Sequence, residues 1–289
     1  MAYAVHHRTA VLDDLEVFYR EAGNPRAPAV VLLHGFPTSS HMFRHLIPAL
    51  SDHYRVIAPD HIGFGQSAMP GLDEFPYTFN ALTEITSELL DHLGVDRFAM
   101  YVHDYGAPIG WRLALRDPQR VTAIVTQNGN AYTDGFVKPF WEGLFAYART
   151  PGPETEAPVR RALTAEVTRW QYLNGVADPT LVSPDNWVHD QALLDRPGND
   201  EIQLKLFRDY PTNVDLYPAV HQYFRESRVP LLAVWGANDE IFGPDGARAF
   251  QRDLPEAEVH LVESGHFALE SHFDVITQHI RDFLGRVIS

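Results

Sequence analysis

The sequence predicts an α/β protein: a mostly parallel eight-stranded sheet flanked by helices, with an inserted helical cap. Two observations predict it. Through the first half of the chain, short apolar runs rich in β-branched residues alternate with longer amphipathic stretches, the rhythm of parallel strands joined by crossover helices. That rhythm stops at an aromatic-rich helical passage and then resumes, so one core is assembled from residues 1–131 and 224–289 around a cap of residues 132–223. A chain of 289 residues, 45% of them hydrophobic, can bury such a core.

The elements follow in order. Arg8 to Arg20 reads as an antiparallel pair turning at Asp13-Asp14. Ala29 to Leu33 is the next strand, followed by a helix from Ser40 to Leu50 and a strand from Arg55 to Pro59. Apolar residues at helical spacing mark Thr78 to Leu93, with Gly94 as C-cap. Arg97 to Val102 and Val121 to Thr126 are strands on either side of a helix from Ala107 to Arg116. Between Tyr132 and Tyr223 the helical stretches break at Pro151-Gly152-Pro153, Ser183-Pro184 and Arg196-Pro197-Gly198. The core returns with the strand Pro230 to Trp235, a helix from Asp245 to Asp253, the strand Glu258 to Val262 and a last helix from Phe273 to Leu284.

A formal net charge of −15 repels nucleic acid and anionic membrane surfaces, so neither is an expected partner. Small hydrophobic organic molecules suit it better. The chain has no cysteine, which excludes disulfides, thiolate nucleophiles and thiolate metal ligands. No window approaches about 18 apolar residues, and the first residues lack a signal-peptide pattern; the expectation is a cytoplasmic monomer or homodimer.

Chemistry concentrates where strands end. In Val102-His103-Asp104-Tyr105-Gly106-Ala107 an apolar strand stops abruptly at an acidic residue, followed by small residues and a helix. This is the pattern of a nucleophile elbow, a sharp turn that lifts its central side chain above the sheet. The elbow holds Asp where esterases hold Ser, and no Gly-x-Ser-x-Gly occurs in the chain. Taken alone, the segment fits either a nucleophile or an aspartate capping a helix. Two further elements favour the nucleophile. His34-Gly35-Phe36-Pro37 follows the strand Val30 to Leu33, where the N–H of Phe36 can join that of Tyr105 in an oxyanion hole. Ser264-Gly265-His266-Phe267 follows the last strand, and a histidine there can reach across the sheet edge where open α/β sheets place ligands. Asp239, 27 residues upstream, supplies the orienting carboxylate, with Glu240 as the competing assignment.

In these residues the sequence resembles the epoxide hydrolase and haloalkane dehalogenase branch of the α/β-hydrolase superfamily. The motifs that carry the resemblance are His34-Gly35-Phe36-Pro37-Thr38-Ser39-Ser40, Pro59-Asp60-His61-Ile62-Gly63-Phe64-Gly65-Gln66-Ser67 and the His103-Asp104 elbow. The resemblance implies the α/β-hydrolase fold and a catalytic triad of Asp104, Asp239 and His266. Asp104 would attack an sp³ carbon to form an alkyl ester, which water activated by His266 would hydrolyse. A carboxylate is ionised at neutral pH and needs no base to become a nucleophile. Water is the only second reactant required, so no cofactor is implied, and His6-His7 reads as a solvated pair instead of a metal site.

The resemblance divides over the branch. Epoxide hydrolases are similar in the aromatic residue before Pro37, and they need cap tyrosines to protonate the opened ring. Tyr210, 29 residues before Asp239, falls near the family position for one; Tyr147 is the candidate for the other, with Tyr172 behind it. Haloalkane dehalogenases are similar through Pro37 to Ser40 and in Val102. They need N–H donors for the halide, where this chain has Phe36 and Tyr105, unless Trp141, Trp170 or Trp187 supplies one. Some of them take their acid at the position of Asn128, which strengthens Asp239 here. The expected substrate pocket includes His34, His103, Phe267, Trp141 and Trp170. Epoxide hydrolysis to a diol is the leading expectation, dehalogenation the alternative, and a catalytically silent binding protein the remaining one.

Overall fold

The computed structural model describes residues 3–288. The chain begins with β1 (His6–Leu12) and β2 (Leu15–Ala22), joined at Asp13 and Asp14, whose φ values of 46° and 65° make a two-residue turn of the kind that suits hairpin twist. Next come β3 (Ala29–Leu33), α1 (Leu46–Leu50), β4 (Arg55–Pro59), α2 (Phe79–His92), β5 (Phe98–His103), α3 (Gly106–Arg116) and β6 (Val121–Gln127). Six helices then intervene: α4 (Lys138–Arg149), α5 (Pro153–Arg160), α6 (Ala165–Leu173), α7 (Pro184–Leu194), α8 (Asn199–Asp209) and α9 (Pro211–Ser227). The core resumes with β7 (Leu231–Gly236), α10 (Pro244–Ala249), β8 (Glu258–Val262), α11 (Ala268–Ser271) and α12 (Phe273–Val287).

The eight strands form one sheet in the order β1-β2-β4-β3-β5-β6-β7-β8. β2 pairs antiparallel with both β1 and β4, and all other neighbours are parallel. Alternation along each strand feeds two cores. Val31, Leu33, Met100 and Val102 face one apolar cluster with α2 and α3, while Val30, Leu32, Ala99 and Tyr101 face the other with α1 and α12. Both faces are covered, which is why these strands are apolar throughout.

Two details differ from the sequence reading. The helix expected over 40–50 is a short 3-10 turn at Ser40–Phe43 followed by α1, because Pro48 has no N–H for a continuous helix and its ring would meet the carbonyl four residues back. The insertion does not stop at residue 223 as a structural unit. α9 runs on to Ser227, and Phe224 packs edge-on against Trp111 of α3, ring centroids 5.6 Å apart, so the last insertion helix is also a core helix. Among the described residues no helix is long and apolar enough to cross a membrane.

Candidate active site

At the end of β5 the backbone turns left-handed at Asp104, φ 47°, and right-handed at Tyr105, where α3 begins. A non-glycine residue there costs on the order of 1–3 kcal/mol, and such strain is kept where the fold over-determines it. Two glycines make the turn fit. A Cβ on Gly106 would strike the carbonyl of Leu33, and one on Gly35 would strike the Asp104 side chain and the Tyr105 nitrogen. The loop after β3 thus lies against the elbow, and the Phe36 N–H donates to Asp104 Oδ1 at 2.7 Å.

Asp104 is buried, which pushes its carboxyl upward; His266 and the N–H groups of Phe36 and Tyr105 pull the other way. His266 sits across the sheet edge after β8. Its Nδ1 bonds Asp239 Oδ2 at 2.8 Å, so that nitrogen carries the proton and Nε2 presents a lone pair. Nε2 lies 3.8 Å from Asp104 Oδ2, too far for a hydrogen bond. Burial alone would lower the His266 pKa, but the charge and hydrogen bond of Asp239, with Asp104 beyond, raise it above the ordinary histidine value.

Asp239 is the acid that meets the histidine, whereas Glu240 is exposed. The Ile241 N–H donates to Asp239 Oδ1 at 2.7 Å, and Asn128 Nδ2 donates to Oδ2 at the same distance. Asn128, at φ 48° after β6, is itself held by the Gly236 N–H and by Gln127 Nε2. The sequence marked this position only as lacking an acid. Its amide steadies the acid that is present.

The other expected residues divide. His103 packs against His266 with ring centroids 4.7 Å apart, its Nδ1 donating to the Gln127 carbonyl at 2.9 Å. Phe267 meets the His266 ring edge-on and stacks on Tyr172 at 4.0 Å. His34 is engaged by backbone at both ring nitrogens, Nε2 accepting from the His61 N–H, so it fixes the loop and leaves no free nitrogen for a ligand. Tyr210, at the junction of α8 and α9, is buried, with its ring 6.1 Å from Tyr105 and 4.5 Å from Trp141. Burial, with Tyr217, Asp104 and Tyr105 alongside, pushes its phenol well above the usual range. The junction is pinned from both sides. Asp209 Oδ2 accepts from the Phe79 N–H, and Arg112 of α3 donates to Thr212 Oγ1 and Asn213 Oδ1.

Tyr147 is a correction. On α4, Trp141 and Phe145 are the residues whose rings face Tyr210. Tyr147 lies on a different face of the helix, where the charged groups that bear on it are Glu156, Arg208, Glu201 and Arg160 and not Asp104. Tyr172 spends its hydroxyl on Asp190 Oδ2 at 2.5 Å. The Trp141 indole N–H donates to the Ile241 carbonyl at 2.8 Å. Trp187 packs near Tyr172 and Arg169, away from the elbow. Trp170 lines a cavity of about 440 Å³ among α4, α5, α6 and α8, whose Phe207 packs against Phe36 at 5.4 Å.

Sheet order, elbow and histidine–acid pair define an α/β-hydrolase, and the chain belongs to the alpha/beta hydrolase fold family, whose model matches residues 28–273. It is a hydrolase of that family, with relatives named for epoxide and haloalkane chemistry. The chain is 43% identical to an uncharacterized hydrolase of Saccharomyces cerevisiae over 95% of each chain. It is 31% identical to a haloalkane dehalogenase of Mesorhizobium japonicum over 95% of this chain and 90% of the relative. A solved epoxide hydrolase superposes with a TM-score of 0.79 at 22% identity, covering 98% of this chain and 99% of its own, a likeness of fold.

Proposed function

We propose that the protein hydrolyses small apolar epoxides to diols through an ester on Asp104. The observation that carries this reading is the kind of donor that the residues around Asp104 and Tyr105 supply. Tyr210 brings a phenol O–H, which rests on the Tyr217 hydroxyl, another exchangeable O–H; the Trp141 indole N–H is taken by the Ile241 backbone carbonyl, and the Phe36 and Tyr105 rings have no N–H to cradle a halide. An O–H acid suits a leaving oxygen, which must be protonated as its bond to carbon breaks.

Asp104 Oδ1 is held by Phe36, which leaves Oδ2 to attack the epoxide carbon. The ring C–O bond breaks, its electrons go to oxygen, and a phenol delivers the proton. Water then adds to the ester carbonyl carbon while His266 Nε2 takes its proton. The negative charge passes to Oδ1, where the Phe36 N–H already points. When the ester C–O bond breaks, the diol leaves with the proton from His266. The second proton of the water, left on the Asp104 carboxyl, returns through solvent to the phenolate, which restores Asp104, His266 and the phenol.

The test is turnover of the purified protein with styrene-oxide-type epoxides read as diol, and with bromoalkanes and fluoroacetate read as halide. Diol without halide is expected, and Asp104→Asn should abolish it. Halide release without diol would overturn the epoxide reading in favour of a dehalogenase.

A further inference from the structure

We infer that the hydroxyl of Tyr105, the residue directly after the nucleophile, is the second proton donor to the opening ring, in the role the sequence assigned to Tyr147. The inference rests on the epoxide reading. Tyr105 is 3% exposed, and among the described residues its hydroxyl has no hydrogen-bond partner. Four rings surround the phenol. Those of Phe36, Phe64 and Phe79, at 6.0, 6.4 and 5.0 Å, carry no polar atom; the fourth is Tyr210, at 6.1 Å. Asp104 and Tyr210 are the groups that share this space electrostatically, since the charge of Asp104 bears on both phenols and Tyr105 bears on Tyr210.

An unpaired buried hydroxyl destabilises a fold, and phenylalanine would fill the same aromatic box without one. Its retention makes sense if the partner arrives with the substrate. Two further unpaired atoms lie on residues beside the same carboxylate: His266 Nε2 and His103 Nε2 are also buried without partners among the described residues. His266 Nε2 has its use in accepting a proton from water. Tyr105 brings the opposite capability, an O–H to donate, next to a second O–H on Tyr210. As Asp104 Oδ2 bonds to carbon and the ring C–O bond breaks, one phenol transfers its proton to the oxygen and the other donates a hydrogen bond to it. The phenolate regains a proton, by way of solvent, from the Asp104 carboxyl that ester hydrolysis leaves protonated, so the cycle closes before the next turnover.

The experiment measures the rate at which styrene oxide adds its mass to Asp104 in a His266→Gln background, where the ester accumulates. Tyr105→Phe and Tyr210→Phe should each slow alkylation by about tenfold to a hundredfold, and the pair together should abolish it. With His266 intact, Tyr105→Phe should leave the decay of the ester unchanged, because that step does not use the phenol. Its Tm should equal or exceed that of the parent, because an unpaired hydroxyl is lost. A structural role would instead lower Tm and slow both steps. Alkylation of Tyr105→Phe within twofold of its parent, or a Tyr210→Phe variant as inert as the double variant, would overturn the assignment of Tyr105 alone. A parent that forms no adduct with any epoxide would remove the epoxide reading itself, and this inference with it.

Discussion

In the proposed reaction His266 carries two burdens, since it must be neutral to take a proton from water and must keep Nε2 as the free nitrogen. Asp239 governs both. Its carboxylate holds the proton on Nδ1 and raises the ring's pKa against the effect of burial. The acid limb of turnover therefore belongs above the ordinary histidine value of about 6.5. In Asp239→Asn the limb should move to lower pH, and kcat should fall by about 10²- to 10⁴-fold because the tautomer is no longer enforced. The pH profile of diol formation reads both, and an unmoved limb would show that another group titrates. Asp104, His266 and Asp239 were legible in the sequence because each stands at the end of a strand, where the chain fixes side-chain position without help from distant packing. The phenols were less so. Tyr147 and Trp141 share one helix, and sequence does not say which face of α4 turns toward the elbow.

Elements show the same division. β3, β4 and β8 run over the residues that apolar runs mark in the sequence; for β3 and β4, buried almost throughout, that burial leaves little freedom in where the strand begins, whereas β8 is a half-exposed edge strand. Helix ends and breaks depended on single residues, Pro48 above all. What no periodicity reveals is how α9 is fastened. Arg112 projects from α3 and bonds Asn80 of α2 and Thr212 and Asn213 of α9, so one buried guanidinium ties three helices beside Tyr210. Arg112→Leu keeps much of the volume but leaves those three acceptors unpaired. It should lower Tm by several degrees and slow alkylation more than ester hydrolysis, since it loosens Tyr210 and leaves His266 alone. Thermal melts with single-turnover kinetics check it, and equal slowing of both steps would point to general loosening.

Across the whole molecule, the insertion meets the core on a buried polar seam. Arg44 pairs with Glu270 of α11, Asn186 of α7 bonds the same carboxylate, and Tyr172 of α6 bonds Asp190 of α7. Burial lifts the Asp190 carboxyl to about 7, with Glu270 adding to the rise and Tyr172, Thr38 and Arg44 opposing it. A carboxyl whose pKa is higher folded than unfolded adds stability below its unfolded value, and that stability is lost as pH rises through the folded one. Tm should therefore fall from about pH 4, the ordinary carboxyl value, to about pH 7, and Asp190→Asn should flatten that slope; an unchanged slope would place the titration elsewhere. This seam also shows how unevenly the insertion is moored. α7 is held at Glu270 and the start of α9 at Arg112, while α4, α5 and α6 enclose an open cavity of about 440 Å³. Traffic has one loose side to use. In the proposed reaction, a diol that leaves by parting α5 from α6 would let Tyr105 and Tyr210 keep their stations, and the enzyme would meet the next molecule without having to rebuild its acid.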